Sequence, residues 1–302
     1  MSLASKSNVT ALARSARITR GFANVVEGQI HYREAGQTTV SSPLPLVMLH
    51  ASPGSAKMLE PLIGALALKR RVVAADTLGN GDSSAPFGEA PEISYFADAH
   101  LRAMDALEIE QFDLYGSHTG ANIAIEIAIT QPARVNRLIL DGVSLYSNAE
   151  RADMLENYAP DVKIDMIGSQ FQHIWHFVRD VYLFWPWYKR EASTRRDLGL
   201  PNADELHDKV IEVLKATRTF PKVYRAAIGY DKAPRLALVG VPTLLACART
   251  DMFLAYLERV GELMPSAVRQ VTEGIGTFNQ LASTVAQFED FLDGTLSEDK
   301  IK

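Results

Sequence analysis

The chain has 302 residues, 47% hydrophobic and 22% charged, which is enough to bury a sizeable core and excludes a disordered or fibrous chain. Its 31 Lys and Arg against 36 Asp and Glu leave a formal charge of -5, too weakly acidic overall to build the phosphate-neutralising surface that nucleic acid requires. One cysteine, Cys247, excludes an internal disulfide and suits a reducing cytoplasm, and no apolar run approaches the ~20 residues that cross a bilayer.

Residues 1–21 carry Lys6, Arg14, Arg17 and Arg20 with no acid before Glu27, and are read as an exposed N-terminal arm, an organellar transit peptide being the alternative. Gly28–Ala35 alternates apolar and polar, as a half-exposed strand does, and Gly36 ends it, so an antiparallel edge hairpin is expected. Four short apolar runs follow at Leu46–Leu49, 71–75, 112–115 and 138–140. Helical stretches over 56–68, 93–107 and Thr119–Thr130 separate most of them, and Pro132 stops the third. This is the strand-helix-strand rhythm of a buried parallel sheet.

Strand signals vanish over residues 145–234, where Phe171, Trp175, Phe177, Tyr182, Phe184, Trp185, Trp187 and Tyr188 accumulate among helix formers. That stretch is read as an inserted helical cap. Sheet patterning resumes at 241–248 and 267–272, and Phe278–Leu292 is amphipathic with helical spacing. The expected organisation is an α/β core over 22–144 and 235–295, the cap between its halves, and a tail from 296.

Three segments carry chemistry. Gly116-Ser117-His118-Thr119-Gly120 lies between a strand and a helical run, with small residues two before and two after its centre, which is the pattern of a nucleophile elbow. His50-Ala51-Ser52-Pro53-Gly54 follows one strand as an oxyanion loop would, and Asp76-Thr77-Leu78-Gly79-Asn80-Gly81-Asp82-Ser83 follows the next.

Together these segments resemble the α/β-hydrolase superfamily, and most closely its capped bacterial group of epoxide hydrolases, haloalkane dehalogenases and carbon-carbon hydrolases. The resemblance implies an α/β-hydrolase fold, a mainly parallel sheet flanked by helices with a helical cap after the sixth strand. It places the catalytic acid at Asp251, with Asp141 as an alternative, and the catalytic histidine at Thr277. The elbow centre is His118 where serine is usual, so two triad positions of three are altered. An imidazole rooted at the elbow extends farther than a serine and can take the space Thr277 leaves, with Asp251 orienting it. The dipole of the following helix is expected to disfavour the imidazolium and keep His118 a neutral base.

The expected site therefore comprises His118, Asp251 and Asp141 as catalytic groups, the backbone N–H groups of Ser52 and Thr119 as oxyanion donors, and Ala51, Thr277 and Trp185 in the binding surface. His50 is read as bracing its loop, Asp82, Ser83 and Ser84 as holding a turn, and Cys247 as core. His173, His176 and Asp180 share a helix face and are read as a polar stripe rather than a metal site. The expected substrate is small and largely apolar, handled by general-base chemistry without a cofactor, with no nucleic-acid or membrane partner and a homo-oligomer left open. Hydrolysis, a lyase or isomerase reaction, and a ligand-binding pseudoenzyme are the alternatives at this point.

Overall fold

Eight runs of strand formers pair into one sheet in the computed structural model, which describes residues 16–37 and 42–296. The strands are β1 Thr19–Val25, β2 Gly28–Ala35, β3 Leu46–Leu49, β4 Val72–Ala75, β5 Phe112–Ser117, β6 Val135–Asp141, β7 Thr243–Ala248 and β8 Val268–Thr272. Their order is β1-β2-β4-β3-β5-β6-β7-β8, with β1, β2 and β4 paired antiparallel and the rest parallel. β3 and β4 are buried along their whole length, because helices cover both faces of a parallel sheet and leave no solvated side for polar residues.

β1 begins inside the stretch expected to be a free arm, pairing Thr19 with Glu34. Ala23 is its one buried residue, so the strand is held by ladder hydrogen bonds and leaves almost no hydrophobic signal in the sequence. Residues 1–15 of the expected arm and residues 297–302 of the expected tail lie outside the described residues.

Helices α1 Glu60–Leu66, α2 Ile93–Ala106, α3 Thr119–Thr130, α4 Asn148–Asn157, α5 Ser169–Leu183, α6 Ala203–Lys215, α7 Phe220–Gly229, α8 Lys232–Leu236, α9 Leu257–Leu263 and α10 Phe278–Leu292 complete the framework. α2, α3, α8 and α9 cover one face of the sheet, and α1 and α10 the other. Residues 145–234 contribute no strand to the sheet, and α4 to α7 bury a separate apolar cluster around Tyr158, Ile174, Phe177, Val213 and Phe220. In it Phe177 and Phe220 stack with centroids 5.7 Å apart, a contact that contributes about 0.5–1.5 kcal/mol beyond its buried area. Among the described residues no helix is long and apolar enough to cross a membrane.

Candidate active site

β5 ends at Ser117 and α3 starts at Thr119, so His118 makes the whole turn at φ 51° and ψ -107°. A side chain with a Cβ is uncommon there, at a cost of about 1–3 kcal/mol. The turn is tight enough that a Cβ on Gly116 would meet the Gly120 carbonyl oxygen at 2.4 Å, and one on Gly120 would meet that of Leu49 at 2.2 Å. The glycines flanking the elbow are therefore demanded by backbone contact. The His118 N–H donates to the Asp141 carbonyl oxygen at 2.9 Å, tying the elbow to the end of β6.

Asp251, just beyond β7, meets this ring. Its Oδ2 lies 2.7 Å from His118 Nε2, while its Oδ1 accepts the Phe253 N–H at 2.7 Å. The Phe253 ring packs against the imidazole with centroids 4.6 Å apart. On another side is Gly142, at φ +71°, where a Cβ would come within 2.5 Å of His118 Cδ2. With Nε2 engaged by the carboxylate, Nδ1 is the ring nitrogen left for a ligand.

Burial works against the imidazolium, yet the field of Asp251, the hydrogen bond to it and the nearby charge of Asp141 outweigh that, so the His118 pKa is raised above 6.5. The expectation of a base kept neutral is thus corrected in direction: the neighbouring carboxylates favour the imidazolium. Burial also opposes the Asp251 carboxylate, but His118 and the Phe253 N–H hold its pKa below 3.8.

The two carboxylates expected near His118 are separated in role. Asp141 accepts the Tyr115 hydroxyl at 2.8 Å and makes no side-chain hydrogen bond to the imidazole. Burial pushes its pKa up to about 6. Thr277 also departs from expectation. It is exposed, lies outside the cavity lining, and caps α10 by accepting the Gln280 N–H at 3.3 Å. Its side chain is spoken for by the helix end it starts.

The loop over residues 50–54 is braced from behind. His50 is fully buried, its Nδ1 2.8 Å from the Ala51 carbonyl oxygen, so its Nε2 is free to accept the Thr77 N–H at 2.9 Å. Burial lowers its pKa, which suits that neutral tautomer. Asp76 accepts the N–H groups of Ala56 and Asp82 and pairs with His31 at 2.8 Å, while Ser83 donates to the Asp76 carbonyl oxygen. Ser84 accepts the Gln29 N–H. His31, Asp76 and Asp82 are the group of metal-type ligands that comes together among the described residues, but those hydrogen bonds already occupy both Asp76 oxygens. His173, His176 and Asp180 do not converge: Asp180 pairs with Arg179 and Arg190, and His173 packs edge-on to Trp187.

A cavity of about 190 Å³ opens over His118. Ala51, Ser52, Met58 and Met252 line it from the core, and Tyr158, Phe177, Val178, Val181, Tyr182, Trp185, Arg196, Lys209, Val213 and Tyr224 from the helical insert. Of the expected binding residues, Ala51, Ser52 and Trp185 are in its wall; Thr119 is buried at the first position of α3. Among the described residues the N–H groups of Ser52 and Thr119 have no hydrogen-bond partner, as oxyanion donors should. Of the expected aromatic cluster, Phe177, Tyr182 and Trp185 reach the cavity, Trp187 is buried in the insert's core, and Phe171 and Trp175 face solvent.

Lys209, Arg196, Tyr158 and Tyr224 were not anticipated. They are scattered over nearly seventy residues and no local pattern marks them; the spacing of Lys209 and Val213, four apart on α6, was the one available signal. A wider cleft of about 670 Å³ lies between Glu92 and Arg235, away from His118, and its buried carboxylate, Glu126, is already bidentate with Arg235.

The chain belongs to the family described as alpha/beta hydrolase fold, which it matches over residues 45–281. It is 27% identical over 270 residues to the 2-hydroxy-6-oxononadienedioate/2-hydroxy-6-oxononatrienedioate hydrolase of Paraburkholderia xenovorans, covering 82% of this chain and 84% of that one. A 101-residue stretch is 42% identical to the 2-hydroxymuconate semialdehyde hydrolase of Pseudomonas sp., spanning 32% of this chain and about a third, 36%, of that protein. Among solved structures, the enol-lactonase from Burkholderia xenovorans superposes with a TM-score of 0.66 at 20% identity, over 90% of this chain and 100% of the other.

Proposed function

We propose that this protein hydrolyses a small carbonyl compound, using His118 as a general base that activates water. The observation that carries this reading is the His118 ring, fixed on Asp251 through Nε2 and lining the cavity with Nδ1 unengaged. In the neutral ring Nδ1 accepts a proton from water, and the resulting hydroxide adds to the carbonyl carbon. The oxyanion so formed meets the N–H groups of Ser52 and Thr119, and its collapse expels the leaving group, which takes the proton back from Nδ1. Asp251 holds the ring and stabilises the imidazolium between these steps. The relatives support a carbonyl substrate, since one is a hydrolase of an oxo acid and another an enol-lactonase. A vestigial histidine would have no need of the Asp251 contact, which favours a working base over a pseudoenzyme.

The elbow presents no serine, cysteine or aspartate, so no acyl-enzyme forms. A panel of small esters, enol lactones and oxo acids tests the reading. Turnover of the accepted substrate should fall ~10²- to 10⁴-fold in His118→Ala, and a fluorophosphonate should leave the protein unlabelled. Full activity in His118→Ala, or stoichiometric phosphonylation of Ser117 with loss of activity, would overturn it.

A further inference from the structure

The cavity wall carries two cations, and they differ in what they already hold. Arg196 donates to the carbonyl oxygens of Val181 at 2.8 Å and Thr250 at 3.0 Å. Lys209 projects from α6 into the same cavity, and among the described residues no hydrogen bond or ion pair engages its ammonium. Burial pulls its pKa down against the weaker, opposite pull of Glu205 one turn earlier. A half-buried ammonium that faces the cavity without a counterion favours an anion entering beside it.

Resting on the proposed hydrolase reading of this site, we propose that Lys209 is the specificity-determining residue of the cavity, receiving a carboxylate of a small, ring-sized substrate whose carbonyl carbon then lies against His118. The size follows from the volume of about 190 Å³, and the rings of Tyr158, Phe177 and Trp185 provide flat walls for an unsaturated body. This replaces the sequence-based picture of a largely apolar substrate with one that is apolar in the middle and anionic at one end. It also couples recognition to chemistry. The Lys209 charge lowers the His118 pKa, so a carboxylate that neutralises it makes His118 a stronger base once the substrate is seated.

Benzoate and its neutral isostere benzamide are the probes, titrated calorimetrically into the full chain. Benzoate should bind the wild type ~10-fold or more tightly than benzamide, as one charge-assisted contact implies. Lys209→Met should erase that preference while leaving benzamide unchanged, and Lys209→Arg should keep it. Unaltered circular dichroism and Tm in Lys209→Met confirm folding, and the Arg variant carries the test if it does not fold. Absence of a benzoate preference in the wild type, or its survival in Lys209→Met, overturns the proposal. Because the readout is binding, His118→Ala should retain the preference while losing turnover, which separates failure here from failure of the general-base reading.

Discussion

On the sheet side of the cavity the ionisable side chains around the His118 ring are held by named partners: His118 by Asp251, Asp251 by the Phe253 N–H, Asp141 by Tyr115, His50 by Ala51 and Thr77. On the helical side Lys209 has none among the described residues, and Arg196 reaches backbone carbonyls. The sheet side is built from strand ends whose register fixes each side chain, as when Ser117 pairs with Asp141. The helical side is assembled from α5, α6 and α7 packed on their own core. On the reading proposed above, the contrast teaches a division of labour: preorganised side chains do the chemistry, and the groups left unsatisfied, Lys209 and the Ser52 and Thr119 N–H groups, await a ligand.

Asp251→Asn strikes the sheet side hardest. An amide at this position can neither stabilise the imidazolium nor hold the ring tautomer, so turnover should fall within the ~10²- to 10⁴-fold range of a lost general base. The His118 pKa, read from its ring proton by NMR, should drop, because Asp251 is what raises it. An unmoved pKa would show that the sheet side does not govern the ring. In the wild type the sign of the linkage follows from the same pair. The raised His118 pKa contributes stability that is present below pH 6.5 and is lost as pH rises through the folded value. The depressed Asp251 pKa contributes stability that is present above 3.8 and is lost as pH falls through its folded value. Stability from the pair therefore peaks in the acidic range, whereas activity rises with pH through the His118 titration. A pH-rate profile that follows thermal stability would break this opposition.

Gly142→Ala tests the same wall by steric means. The added Cβ would meet His118 Cδ2 at 2.5 Å and Nε2 at 2.6 Å, on backbone at φ +71°. The ring cannot give way without leaving Asp251, so a loss of about 1–3 kcal/mol in stability is expected together with reduced turnover. Unchanged denaturant midpoint and activity would mean that the ring is free to move.

The elbow was legible in the sequence because its requirements are local: a strand, two glycines with no room for a Cβ, and a helix, all within residues 112–130. The Asp251 loop was legible for the same reason, as a short segment directly after a strand. What escaped were the contributions of distant helices, since nothing in α6 distinguishes Lys209 from any lysine on a solvated face until the fold turns that face inward. The edge hairpin was expected, but the start of β1 inside the arm escaped for another reason. A strand with one buried residue has backbone hydrogen bonds as its main support, and those have no sequence signature. Asp141, weighed as the alternative acid, turns to Tyr115, and Thr277, expected in the binding surface, turns to the start of α10, because a position after a strand does not say which way its side chain turns.

Thr277→Val should produce the smallest effect and define where the site stops. The hydroxyl caps α10 by accepting the Gln280 N–H, and it takes no part in the cavity wall. Valine removes the acceptor while keeping the β-branched shape, so the helix start loses about 1 kcal/mol, a Tm decrease of about 2 °C in a chain of this size. Thr277→Ser keeps an acceptor and should recover that loss. Turnover at the permissive temperature should match the wild type in both variants, because the Nδ1 proton acceptor and the Asp251 contact are untouched. A fall in turnover in Thr277→Val that serine restores, without any change in Tm, would place position 277 inside the reacting site after all. The boundary between the preorganised sheet side and the rest of the molecule would then have to be drawn beyond the start of α10.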